Sequence, residues 1–168
     1  MNFFTKLRGD SAALPPRPGG KSVALAFVGG FLAIASIVLL AQGLHIALTL
    51  GSFGASCVLL FGYPDVPFSQ TRNVVLGHLV STLVGLAFLH LCGPVWWSVA
   101  LATGSAIAVM MLCRIVHPPA GSNPVIVFLL QPGWDYALFP TLTGALILVV
   151  VSLIFHNLTR TTRWPKYW

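Results

Sequence analysis

Apolar residues run along this chain in blocks too long for a soluble core, separated by short polar punctuation. The pattern predicts full helices over 23–42, 73–91, 95–113 and 136–158, each close to the roughly 20 apolar residues that one bilayer crossing needs. Two further blocks, 45–62 and 115–130, are apolar but interrupted. In the first, Gly51 and Gly54 precede the run Cys57 to Phe61 and predict a poor continuous helix. In the second, HPPAGSNP (His117 to Pro124) carries three prolines and a glycine, which exclude regular helix. Polar turns fall at YPDVPFSQTR (Tyr63 to Arg72), at Cys92-Gly93-Pro94 and at QPGWD.

The order is therefore full, broken, full, then full, broken, full. Sliding the chain on itself by 67 positions places Gly54 on Gly121, Val58 on Val125, Phe61 on Phe128, Gly77 on Gly144 and Phe88 on Phe155. Paired breaks in corresponding places are the sequence mark of an internal repeat in transporters. Orientation follows from the basic residues. If the broken elements cross, there are six crossings, and all nine Lys and Arg residues, Arg72 and Arg114 included, lie on the side of the N-terminus. If they re-enter, four crossings put Arg72 and Arg114 on the opposite side. The positive-inside rule favours six crossings with both termini cytoplasmic, so the halves are inverted repeats. The fold class is an all-α polytopic membrane protein with two inverted repeats of three elements, and the expected membrane is the bacterial inner (plasma) membrane.

Composition strengthens this picture: 57% of the 168 residues are hydrophobic and 7% charged, against about a quarter charged in a soluble domain. The expected organisation is a disordered tail over 1–22, one transmembrane domain over 23–159 and a basic aromatic tail over 160–168. The net charge of +6 flanks apolar runs instead of forming a basic face, which argues against a nucleic-acid partner. Trp96, Trp97, Trp134, Trp164, Tyr167 and Trp168 fall near span ends, where interfacial anchoring places them. Cys57, Cys92 and Cys113 lack metal-like spacing and read as buried free thiols.

Irregular backbone at membrane depth has to be covered by protein or by a water-filled cavity, so two breaks predict a shared polar interior. Asn123 before Pro124 reads as an N-cap with a first-turn proline, starting a half-helix near 121–124, and Ser56 takes the equivalent place in the other half. With inverted halves the two N-termini face each other and form a site for a small anion. The expected substrate-binding residues are Gly54, Ala55, Ser56, His117, Gly121, Ser122 and Asn123; Arg72, Asn73, His78 and Arg114 are expected at a pore mouth or gate. The glycines read equally as helix-packing positions, His117 as a cap for carbonyls freed at the kink, and the arginines as topology signals.

At HPPAGSNP the chain resembles the HPP family of integral membrane proteins. GSFGASCVLLFGYPDVPFSQTRNVVLGHL (Gly51 to Leu79), Arg114 three residues before His117, and HNLTRTTRWPKYW (His156 to Trp168) also look like the family pattern. Plant chloroplast members are associated with nitrite transport, so the resemblance implies a small-anion role, nitrite first. No enzyme is expected, because the only acidic residues, Asp10, Asp65 and Asp135, lie outside the spans and leave His117 without a carboxylate partner. No cofactor or metal is expected. A homo-oligomer is expected from the thinness of an 18.0 kDa bundle, and an accessory subunit without transport activity is the competing reading.

Overall fold

The computed structural model describes residues 12–44, without the Leu44 side chain, and 51–168. All regular structure among the described residues is helical. We number the principal helices α1 (Gly20–Leu44), α2 (Gly51–Cys57, continued by a π-helical turn over Val58–Gly62), α3 (Thr71–Cys92), α4 (Trp96–Leu112), α5 (Asn123–Leu130) and α6 (Thr143–Thr159). Short 3₁₀ segments sit at Pro67–Ser69, Pro118–Ser122 and Trp134–Ala137, and a kink over Leu138–Leu142, with Phe139 extended at φ −127°, ψ 116°, leads into α6. Three helical stretches, Gly20–Gly43, Thr71–Cys92 and Trp134–Thr159, are long and apolar enough to cross a membrane; Gly51–Gly62, Trp96–Leu112 and Pro118–Leu130 are shorter apolar helices.

α1 packs on α2 and α6, while α4 packs on α5 and α3; α3 also touches α5, and α6 touches α2. Exchanging α1 with α4, α2 with α5 and α3 with α6 maps these pairings onto themselves. α3 is the central element, buried along Val74, Gly77, His78, Ser81, Thr82, Gly85 and Leu86.

Three local expectations are corrected. Gly54 does not interrupt α2; the helix starts at Gly51, runs through Gly54, and its geometry changes only at Val58–Gly62. A helical glycine costs about 1 kcal/mol relative to alanine, whereas unpaired backbone in hydrocarbon costs several, so the helix persists. Residues 45–50 of the expected span lie outside the described residues. Asn123 is not an N-cap: Ser122 holds that position without a side-chain cap bond, and Asn123 is already helical. Cys57 is buried, but Cys92 and Cys113, at the ends of α3 and α4, are exposed.

The C-terminal tail is folded onto the 63–70 loop. Trp164 is 2% exposed, packs against His156 and donates its indole N–H to the Pro64 carbonyl at 3.0 Å, so it serves the core and not a membrane interface. Asn157 receives the Trp164 amide and donates to its carbonyl. The Lys166 amide donates to Gln70 Oε1 at 2.7 Å, and Arg160 pairs with Asp65 at 2.6 Å. The stretch 12–19 has no regular structure and residues 1–11 lie outside the described residues.

Candidate functional site

The HPP segment is positioned by three local rules. First, α4 ends in a Schellman motif: the Ile115 amide bonds the Met110 carbonyl at 2.9 Å and the Arg114 amide bonds that of Met111 at 3.1 Å, with Arg114 left-handed at φ 55°. Second, a residue before proline is driven out of the α region, and His117, before Pro118, is extended at φ −132°, ψ 100°. Third, Pro118 and Pro119 need no amide partner in a first turn, so the chain re-enters a helix as the 3₁₀ segment. The extended link turns the His117 ring inward.

α3 receives this irregular backbone. Asn73, Gly77, Ser81 and Gly85 recur every four residues and so share one face of the helix. Asn73 Nδ2 donates to the Val116 carbonyl at 2.9 Å and Ser81 Oγ to the Ala120 carbonyl at 2.7 Å. Between them, a Cβ on Gly77 would stand 2.8 Å from His117 Cβ, and one turn beyond Ser81 a Cβ on Gly85 would stand 2.9 Å from Pro124 Cα. The two glycines give the broken segment its close approach; Asn73 and Ser81 satisfy two of the carbonyls that the break leaves free.

At the centre of this contact four side chains form one network. Ser56 Oγ lies 2.9 Å from His78 Nε2, 2.9 Å from His117 Nε2 and 3.0 Å from the Ser52 carbonyl. His117 Nδ1 is 2.7 Å from the Phe68 carbonyl. Asn123 Nδ2 faces His78 Nδ1 at 3.1 Å, the His78 carbonyl at 3.1 Å and Thr82 Oγ1 at 2.9 Å, and Thr82 Oγ1 meets Thr141 Oγ1 at 3.3 Å. Ser56, His78 and His117 are 0% exposed and Asn123 1%.

The partners assign the protons. A carbonyl can only accept, so His117 carries its hydrogen on Nδ1, and in the neutral ring Nε2 is an acceptor. The Asn123 amide donates to His78 Nδ1, so His78 carries its hydrogen on Nε2. Ser56 thus accepts from His78 and can donate to His117, and the chain runs in one direction from Asn123 through His78 and Ser56 to His117 and Phe68. Ser52 Oγ, Asn73 Oδ1 and Asn123 Oδ1 remain buried without partners.

Of the expected substrate-binding residues, Ser56, His117 and Asn123 are brought together. Ser56 sits inside α2 and not at a helix start, so the expected facing of two half-helix N-termini at Ser56 and Asn123 is not what unites them; their side chains do. Gly54, Ala55 and Ser122 are exposed and Gly121 half-buried, with Ser122 Oγ donating to the Pro119 carbonyl at 2.8 Å. His78, expected at a gate, is at the centre. Asn73 is buried under the break, Arg72 is partly buried with its Nε unpartnered, and Arg114 is exposed at the end of α4. Sequence reasoning missed Gly77, Ser81, Thr82, Thr141 and the Phe68 carbonyl. The four-residue spacing of small and polar positions in otherwise apolar α3 was the available signal for the first two. Among the described residues no three His, Cys, Asp or Glu side chains converge as metal ligands would.

Residues 15–165 match the family described as HPP, transmembrane region. Two transmembrane proteins of Dictyostelium discoideum are each 31% identical to the whole of this chain, over alignments of 180 and 181 residues. The chain spans 58% of the length of one and 64% of the other. No solved structure matches. With nearly the entire chain matched and the His-Pro-Pro segment at the hub of its buried network, this is a membrane protein of the HPP family.

Proposed function

We propose that this protein carries a small inorganic anion, nitrite first, across a bacterial inner membrane with both termini on the cytoplasmic side and the two halves inverted. The observation that carries the reading is the Ser56–His78–His117–Asn123 network, fully buried where α2, α3 and the HPP segment meet. Polar groups at membrane depth mark substrate and ion pathways by default. This one continues along α3 from Thr71 to Thr82, roughly 16 Å of helix at 1.5 Å per residue, about half of a 30 Å hydrocarbon core. Imidazole and amide N–H groups and a hydroxyl suit a small anion, and no carboxylate opposes it. The described state is closed, since the four side chains are buried against one another; passage requires them to part.

A cavity of about 290 Å³, lined by Ser22, Asp65, His156, Thr159 and Arg160 and by the apolar Leu25, Phe61 and Phe155, lies beside the π-helical turn over Val58–Gly62. It supplies a vestibule on the side of the C-terminal tail, with Arg160 paired to Asp65 in its wall. His156 holds the Leu60 carbonyl at 2.8 Å across this region.

Nitrite itself rests on the resemblance to plastid members of the family. The protein acts without enzymatic chemistry or cofactor, as a homo-oligomer. Nitrite uptake into proteoliposomes, with nitrate, formate and chloride as competitors, tests the reading: selective saturable or conductive flux supports it. Absence of any anion flux from folded, inserted protein would turn the assignment to an accessory membrane subunit.

A further inference from the structure

The hydroxyl of Ser56 has one hydrogen to give and two lone pairs, and it has three partners within 3.0 Å. With both rings neutral, Ser56 accepts from His78 and gives its hydrogen to His117 Nε2. One of the three contacts then competes for a hydrogen already used. With one extra proton on His117, both Nε2–H groups donate to Ser56, and the hydroxyl turns its own hydrogen to the Ser52 carbonyl. All three contacts are then made, and His117 Nδ1–H still donates to Phe68. The heavy atoms are placed for a protonated His117 with no displacement.

The elements around His117 carry few charges that could balance it. α3 offers His78, in ring contact at 5.0 Å, and Arg72; α2 offers Cys57; α4 ends in Arg114; α6 offers His156, bonded to Leu60. The 63–70 loop offers Asp65, tied to Arg160 and Lys166. The chain's carboxylates are Asp10, Asp65 in that loop and Asp135 at the N-terminal end of the Trp134–Thr159 stretch, and His117 bonds Ser56 and the Phe68 carbonyl instead of either described carboxylate, so an imidazolium here needs a charge from outside the protein.

We propose that the His78–Ser56–His117 network takes up one proton and one monovalent anion together, making the protein an electroneutral proton–anion symporter. The proton enters at His117 Nε2, the Ser56 O–H rotates from His117 to the Ser52 carbonyl, and the anion supplies the balancing charge. On release the proton leaves His117 with the anion and the Ser56 hydrogen returns to Nε2. No covalent bond to the anion forms, and Asn123, by donating to His78 Nδ1, keeps the second ring as the fixed donor. This inference rests on the transport reading and adds the stoichiometry to it.

The test uses the full chain in liposomes with sodium nitrite as the probe. Nitrogen-15 imidazole spectra at fixed neutral pH, with His117 assigned from the His117→Gln protein, are expected to change from one protonated ring nitrogen to two when nitrite is added. About one proton should leave the medium per nitrite bound, and nitrite affinity should rise tenfold per unit fall in pH while the free ring is neutral. Uptake should generate no current. In Ser56→Ala, proton uptake on nitrite binding should be lost; Ser56→Cys, which retains a hydrogen to give, covers the case in which the alanine protein does not fold. Nitrite binding or flux with no proton uptake, or with a net current, overturns the symport and leaves the transport reading standing. Neither binding nor flux in folded protein overturns both.

Discussion

Ser56 and His117 stand 61 positions apart in the chain, and their side chains meet at 2.9 Å. The contact joins the middle of α2 to the first residue of the HPP segment, and His78 of α3 closes it from the third side. A single hydroxyl thus links α2, the HPP segment and the central helix.

Removing that hydroxyl is the most direct challenge to the arrangement. Ser56→Ala leaves the His78 Nε2–H and the His117 Nε2 buried without their partner, which costs about 1–3 kcal/mol. The thermal midpoint of the purified protein should fall accordingly, and nitrite uptake should drop at least tenfold. An unchanged midpoint would show that the network contributes nothing to holding α2, α3 and the HPP segment together.

Backbone approach at Gly77 has a sharper steric test. Gly77→Ala forces a Cβ to 2.8 Å from His117 Cβ and 3.0 Å from the Ile115 carbonyl, an overpacking expected to cost about 1–3 kcal/mol. At Gly104, in α4, an added methyl would meet nothing within 4 Å, so Gly104→Ala should be neutral or stabilise by up to about 1 kcal/mol. Equal midpoints for the two variants would contradict the close packing of α3 against the HPP segment.

Arg114 occupies the left-handed position of the Schellman motif, where a residue with a Cβ costs roughly 1–2 kcal/mol. Arg114→Gly should therefore raise the thermal midpoint. If the exposed guanidinium concentrates anions at a mouth, initial nitrite uptake should fall several-fold at low salt and the difference should fade near 1 M, where the screening length is about 3 Å. A salt-independent rate would confine Arg114 to a structural or topological role.

The tail latch predicts a pH response. Its Arg160 hydrogen bond, with the charges of Arg160 and Lys166, holds the Asp65 carboxyl below the ordinary carboxylate value. A lowered folded value means that the bridge stabilises the latch above the unfolded pKa of about 3.9 and loses that contribution as pH falls through the folded value. Because Asp65 is half exposed, the effect is local and modest. Hydrogen exchange at the Lys166 amide, corrected for its intrinsic rate, should stay slow from neutral pH to about 4 and speed up below. Asp65→Asn should be faster already at neutral pH, and identical protection in the two proteins would remove the ion pair from the latch.

Much of the architecture was legible in the chain. Three full helices appear where long apolar blocks predicted them, with ends shifted by a few residues, because a span needs only length and hydropathy. In the block 136–158 regular α-helix begins only at Thr143, since Phe139, before Pro140, is extended at φ −127°, ψ 116°. The break at HPPAGSNP was equally local, since proline removes an amide and restricts the residue before it. The reading failed where a local rule met a tertiary demand. Asn-Pro signals an N-cap, yet the Asn123 amide goes to His78 and Thr82, and Gly54 signals a break that the apolar medium does not permit.

The sequence by itself determined a helical membrane protein, the location of its sharpest interruption and the presence of histidine and small polar residues near it, because those follow from composition, spacing and backbone chemistry. Only the tertiary structure decided that the side chains of Ser56, His78, His117 and Asn123 meet in one buried network and that Gly54, Ala55 and Ser122 lie outside it. Which side chains meet across 22 or 61 positions depends on how helices rotate and approach, and that was set here by the missing Cβ of Gly77 and by carbonyls that Asn73 and Ser81 had to satisfy.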